Sequence, residues 1–197
     1  KGKTVTVISY TDTTYYALLG MLSKVGLTKN DVNIQAAGPA GVWQQFAAKK
    51  AVAMAGVPDW TASAMDAGAQ VDILPADVYF KSMAQAILAS DETIQKNPQL
   101  IQKLVRATLK GMKDIMANPK EAAAAYVQHV PAHKGKEAGI QNVFEMYNKY
   151  VYSNQKVLGQ MDEARLGELQ KFYVSNAVVP KETPLKDLYT NQFVTGK

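Results

Sequence analysis

Residues 4–26, TVTVISYTDTTYYALLGMLSKVG, decide the fold. Thr4 to Ser9 is short and rich in β-branched residues, which predicts a buried strand. From Thr13 to Val25 the period changes. Tyr15, Leu18, Leu19, Leu22 and Val25 recur at three and four, as one face of a helix requires. Thr11 or Asp12 caps the start of that helix, and Gly26 ends it.

The pattern repeats outward from this unit. Val32 to Ala36 reads as a second strand. The turn Gly38-Pro39-Ala40-Gly41 opens a second helix that runs to about Lys49. Ala51 to Val57 is a third apolar strand, and Trp60 to Ala67 a short helix ended by Gly68. Val71 to Leu74 and Met83 to Ser90 read as fourth and fifth strands. Strands alternating with helices at this spacing predict an α/β fold with a parallel sheet.

Beyond Asp91 the pattern is helical only. Asn97-Pro98 and Asn118-Pro119 each place a capping side chain before a proline suited to a first turn. The first of these helices is expected to bury Leu100, Ile101, Leu104, Val105, Leu109, Met112, Ile115 and Met116. Lys136 to Val151, Asp162 to Ser175 and a turn near Pro184 to Leu188 complete the series. Composition changes at the same place. Residues 1–90 hold every acidic charge as Asp, whereas Lys and Glu mark the solvated faces of residues 91–197. Two parts follow: an α/β ligand-binding lobe over 1–90 and a helical segment over 91–197.

The 197 residues are 47% hydrophobic and 20% charged, so the chain has material for a core and is not disordered in general. No run approaches the roughly 18 apolar residues of a membrane-spanning helix. With no cysteine, disulfides, thiolate metal sites and a cysteine nucleophile are excluded within this chain. The net charge of +5 is spread over scattered lysines without an arginine cluster, which argues against a nucleic-acid partner. His129 and His133 are separated by Pro131 and do not share a helical face, so no metal site is expected there. No P-loop, GxGxxG or GxSxG pattern is present, and no cofactor or catalytic residue is expected.

Chemistry is expected beyond the carboxyl ends of the strands, where three segments fall. Ser9, Tyr10, Thr11, Thr13, Thr14 and Tyr15 crowd hydroxyls against a helix start, where free N–H groups favour an anion or another polar ligand. Asp12 either caps that helix or pairs with a ligand amine. Gly38 and Pro39 permit close backbone approach, although the spacing alone reads as a tight turn. Trp60 could stack on a flat ligand. Asp59 either binds a cationic group or caps the next helix.

Several stretches together resemble the second lobe of bacterial solute-binding proteins of ABC importers. The branch is the one that includes binders of sulfonates, taurine, nitrate and thiamine-pyrimidine precursors. KGKTVTVISYTDTTYYALLGMLSKVGL resembles the strand, hydroxyl-rich loop and helix that open that lobe. AVAMAGVPDW, MAQAILASDETIQKNPQLIQKLVRATLKGM and ETPLKDLYTNQFV resemble later segments. The resemblance implies a type II periplasmic-binding-protein-like lobe followed by a helical C-terminal segment that packs on the lobes. It implies ligand contacts from Ser9, Thr11, Thr13, Thr14, Tyr15, Gly38, Pro39, Asp59 and Trp60. It further implies a non-enzymatic component that captures a small polar, anionic organic solute and delivers it to a membrane permease. The implied location is periplasmic or membrane-anchored on the outer side of a bacterial membrane, with any signal segment outside this chain.

The first lobe of such proteins has no counterpart here. Either the chain is an incomplete fragment or another chain, such as a second copy, is expected to cover the apolar surface that lobe would occupy. Two other readings share the architecture. Pyrimidine-synthase and sulfinate-cleaving enzymes need a cysteine at the active site. LysR-type effector domains need a helix-turn-helix ahead of the lobe.

Overall fold

A computed structural model of the chain describes residues 1–83 and 85–195. The chain divides into two compact units, Lys1–Ser82 and Met83–Lys197. The composition change at residues 90 and 91 falls inside the second.

In the first unit, strands β1 (Thr4–Val7), β2 (Asn33–Ala36) and β3 (Ala53–Met54) form a parallel sheet in the order β2-β1-β3. Thr4 pairs with Asn33 and Val7 with Ala36 on one side of β1, and Val5 pairs with Ala53 on the other. Helix α1 (Thr13–Lys24) joins β1 to β2. Helix α2 (Gly38–Ala47) carries the chain back past β1 to β3, and α3 (Pro58–Asp66) follows β3. A single helical turn, α4 (Ala76–Tyr79), packs against α1.

The centre of this unit is β1. Val5 and Val7 are buried, and so is Thr6 between them. Successive side chains of a strand point to opposite faces, so both faces of β1 are covered. A buried hydroxyl needs a partner. The Thr6 hydroxyl donates to the Val42 carbonyl of α2 at 2.8 Å, fixing that helix on the central strand.

Three expectations for residues 1–90 are corrected. Val25 is not on the buried face of α1. It is the capping residue, 61% exposed, and Gly20 is the buried position of the helix. The ring of Phe80 lies where a side chain at residue 20 would stand. Residues 71–74 form no strand, and Ile73 and Leu74 are exposed. The same holds for residues 83 and 85–90, with Leu88 almost fully exposed; Ala84 lies outside the described residues. Apolar content marks a segment as able to enter a sheet, but a ladder also needs a neighbouring strand in register.

The second unit is helical. Helices α5 (Asp91–Lys96), α6 (Pro98–Ala117), α7 (Pro119–His129), α8 (Glu137–Tyr147), α9 (Glu163–Ser175) and α10 (Gln192–Thr195) follow in order. The Asn97 side chain accepts from the Leu100 N–H, and Asn118 accepts from the Glu121 N–H, so both Asn-Pro starts are capped. Helices α7 and α8 pack together, with the rings of Tyr126 and Phe144 edge to face at 5.9 Å. The helix expected over Lys136 to Val151 is α from Glu137 to Tyr147 and then changes its hydrogen bonding. A π turn over Asn148–Tyr152 follows and stacks Tyr147 on Tyr152. Two reciprocal amide pairs hold the tail. Gln170 exchanges hydrogen bonds with the Thr183 backbone, and Asn191 with that of Met161.

On α6 the buried residues are Ile101 and Val105, whereas Leu100, Leu104 and Met116 are exposed. The apolar set spans about half of the helix circumference at roughly 100° per residue, wider than the stripe its neighbours cover.

Candidate functional site at the carboxyl edge of the sheet

Because the strands are parallel, their carboxyl ends share one edge. The order β2-β1-β3 reverses direction at β1, and in such sheets the crevice beyond the ends of β1 and β3 is the usual ligand position. The loop after β1 is central and is tied to the loop after β2. The N–H of Ala37 donates to the Val7 carbonyl at 2.9 Å, and that of Gly38 to the Ile8 carbonyl at 3.0 Å. On the other side the Ala55 N–H donates to the Thr6 carbonyl.

The first loop folds on its own hydroxyls. Ser9 and Thr11 share a hydrogen bond of 3.1 Å, and the Thr11 N–H also donates to the Ser9 hydroxyl. Asp12 is the N-cap of α1 and accepts from the Thr14 N–H at 2.9 Å and from the Thr14 hydroxyl. Of the two roles open to Asp12, capping is the one the structure shows. A carboxylate already stands at the start of α1, and the Thr14 hydroxyl is directed to it. Thr13, the first residue of the helix, is half-buried.

Three tyrosines line this loop. Tyr10 meets Tyr15 edge to face at 5.5 Å, and Tyr15 meets Tyr16 tilted at 5.4 Å. The Tyr10 hydroxyl donates to the Ile34 carbonyl of β2 while its ring stays 53% exposed. Burial pushes the Tyr15 phenol above its ordinary range, and Tyr16 and then Tyr10 add to the shift. Tyr16 is not among the residues the sequence singles out. Its adjacency to Tyr15 was the available signal, but neighbouring helix residues are ordinarily assigned to different faces.

Gly38 begins α2 with φ of +71°, a conformation open to glycine, and Pro39 follows it exposed. Asp59 lies in the first turn of α3, behind Pro58, and the N-cap position belongs to Val57. Asp59 therefore does not cap that helix, because Pro58 at the first position moves the helix start ahead of it. Trp60 is half-buried, and its ring stands beside Gly56. A methyl on Gly56 would come within 3.4 Å of it. Asp59 and Trp60 stand beyond β3, next to the β1 loop in the strand order. The edge thus offers hydroxyls and aromatic rings with little unspent positive charge.

The NMT1/THI5-like family model matches residues 1–122, and the chain belongs to that family. This is the family to which the sequence resemblance pointed. The chain is also similar to the riboflavin-binding protein RibY of Chloroflexus aurantiacus, with 26% identity over 200 residues. That alignment takes in all of this chain and 57% of the relative, so the chain spans little more than half the length of the curated relative it matches.

Proposed function

We propose that this chain is the ligand-holding part of a non-catalytic solute-binding component of an ABC importer. In this reading it works outside the cytoplasm, in the periplasm or anchored to the membrane, and hands a small polar organic solute to a permease. Its first unit serves as one lobe of a type II binding-protein architecture. The observation that supports the reading is the loop edge of the sheet: Ser9, Tyr10, Thr11 and Tyr15 follow β1, and Trp60 follows its neighbour β3, on the side where ligands of such sheets bind. Membership of the NMT1/THI5-like family and the name of the similar protein support it.

The solute class follows from the same edge. An anion at the start of α1 would compete with the Asp12 carboxylate, which disfavours the anionic solute expected from the sequence. A flat ring bearing hydroxyls or amides suits the tyrosines and the Ser9–Thr11 pair better. Riboflavin, for which the relative is named, is the first compound to test. Native mass spectrometry of the gently purified chain, followed by titration with riboflavin, decides the matter. Retention of riboflavin or another ring compound supports the proposal. Retention of a sulfonate or nitrate restores the anionic reading, and turnover of the bound compound overturns the non-catalytic one.

A further inference from the structure

Helix α6 carries charge in a way the other helices do not. Lys103, Arg106, Lys110 and Lys113 follow one another at three and four residues and are all exposed. At about 100° per residue they occupy an arc of roughly 80°, and at about 1.5 Å per residue the row is roughly 15 Å long. The acidic residue within the helix is Asp114, which pairs with Lys110 at 2.8 Å. Lys103, Arg106 and Lys113 have no ion-pair partner among the described residues. By contrast, α5 balances Lys96 with Glu92, and α9 alternates Glu163, Arg165, Glu168 and Lys171. Beside the cationic row stand Leu100 and Leu104, 53% and 49% exposed.

We infer that this face of α6 docks on an anionic lipid surface. A straight row of cations with leucines along one edge matches a flat, negatively charged bilayer. The ammonium and guanidinium groups would meet phosphates while the leucines enter the headgroup boundary. Charge complementarity is the argument. A surface kept for solvation alone gains from mixed signs, as on α5 and α9, whereas a row in which three of four cations lack a counter-charge repels itself until a counter-charged surface meets it. The inference is independent of which solute the sheet edge holds.

The test is sedimentation of the full 197-residue chain with vesicles. Phosphatidylcholine alone is compared with an equimolar mixture of phosphatidylcholine and phosphatidylglycerol, at low and high salt. Selective binding to the anionic vesicles, released by salt, is expected. Each cation removed should weaken it about fivefold, so K103Q/R106Q should weaken it about 25-fold. A charge-matched variant off the row, K171Q/K181Q, should retain most of the binding. All these positions are exposed, and unchanged circular dichroism verifies folding. Equal binding to both vesicle types overturns the proposal, as does equal loss in the two variants. Binding to polyglutamate without binding to anionic vesicles also overturns it and assigns the row to an acidic protein partner.

Discussion

Asp12 and Thr14 form a closed pair at the head of α1, the carboxylate receiving both the backbone N–H and the hydroxyl of Thr14. This pair sets the helix start and places a carboxylate where an external anion would have to sit. Replacing Asp12 with Ala should cost about 1 kcal/mol of stability, while Asn should restore most of it, since an amide oxygen caps as well. Urea unfolding of the three proteins checks this. Equal stability of the Ala variant and the parent would refute the capping role.

Glycine within a helix is normally improved by alanine, by up to about 1 kcal/mol. Gly20 is the exception, because the Phe80 ring occupies the space a methyl would need. Gly20→Ala should therefore destabilise by about 1–3 kcal/mol. In a Phe80→Ala background the same change should become neutral or stabilising. A double-mutant cycle reads the sign reversal, and additive effects would exclude direct contact.

Trp60→Ala and Tyr15→Ala should each weaken binding of a flat-ringed solute by up to about tenfold. Thr14→Val should lower stability and change affinity little, because its hydroxyl serves Asp12. Fluorescence titration alongside thermal unfolding separates the two effects. A large affinity loss in Thr14→Val with unchanged stability would return the helix start to the ligand.

The Asp31 carboxyl is held down to about 2 from an ordinary 3.8. The Thr28 N–H is the largest cause, followed by the Lys1 ammonium and the Thr28 hydroxyl. A carboxylate with a lowered folded value contributes stability that is complete above its ordinary value and is lost as pH falls through the folded one. The stability difference between the parent and Asp31→Asn should therefore be constant above about pH 5 and shrink between about pH 5 and 1. Denaturation across that window measures it, and a difference independent of pH would rule out the linkage.

Local chemistry was legible in the sequence. The two Asn-Pro starts fall where their side chains cap α6 and α7, because a cap depends on residues three apart. The β1–α1–β2–α2–β3 order was equally legible from change of period. Residues 71–74 and 85–90 were not, because their apolar content looks the same whether or not a strand lies alongside. The exposure of Leu100 and Leu104 was hidden for a related reason: periodicity shows a helix face without showing how much of it is covered. At the site, the hydroxyl-rich loop stood out by composition. That Asp12 would claim Thr14 and that Pro58 would displace Asp59 from the cap are matters of one or two residues of register.

The placement of β1 between its two partners has a kinetic meaning. Thr4 and Asn33, side by side across β1 and β2, are 29 residues apart in the chain, whereas Thr6 and Ala53 across β1 and β3 are 47 apart. Closing the longer span costs slightly more chain entropy, so the β1–α1–β2 unit is expected to form first and β3 to join it later. Changes at Ala53 or Met54 then act chiefly on how fast the sheet comes apart, and changes at Ile34 on how fast it assembles. By the same argument β3, the strand ahead of Trp60, is expected to be the last laid down and the first to loosen.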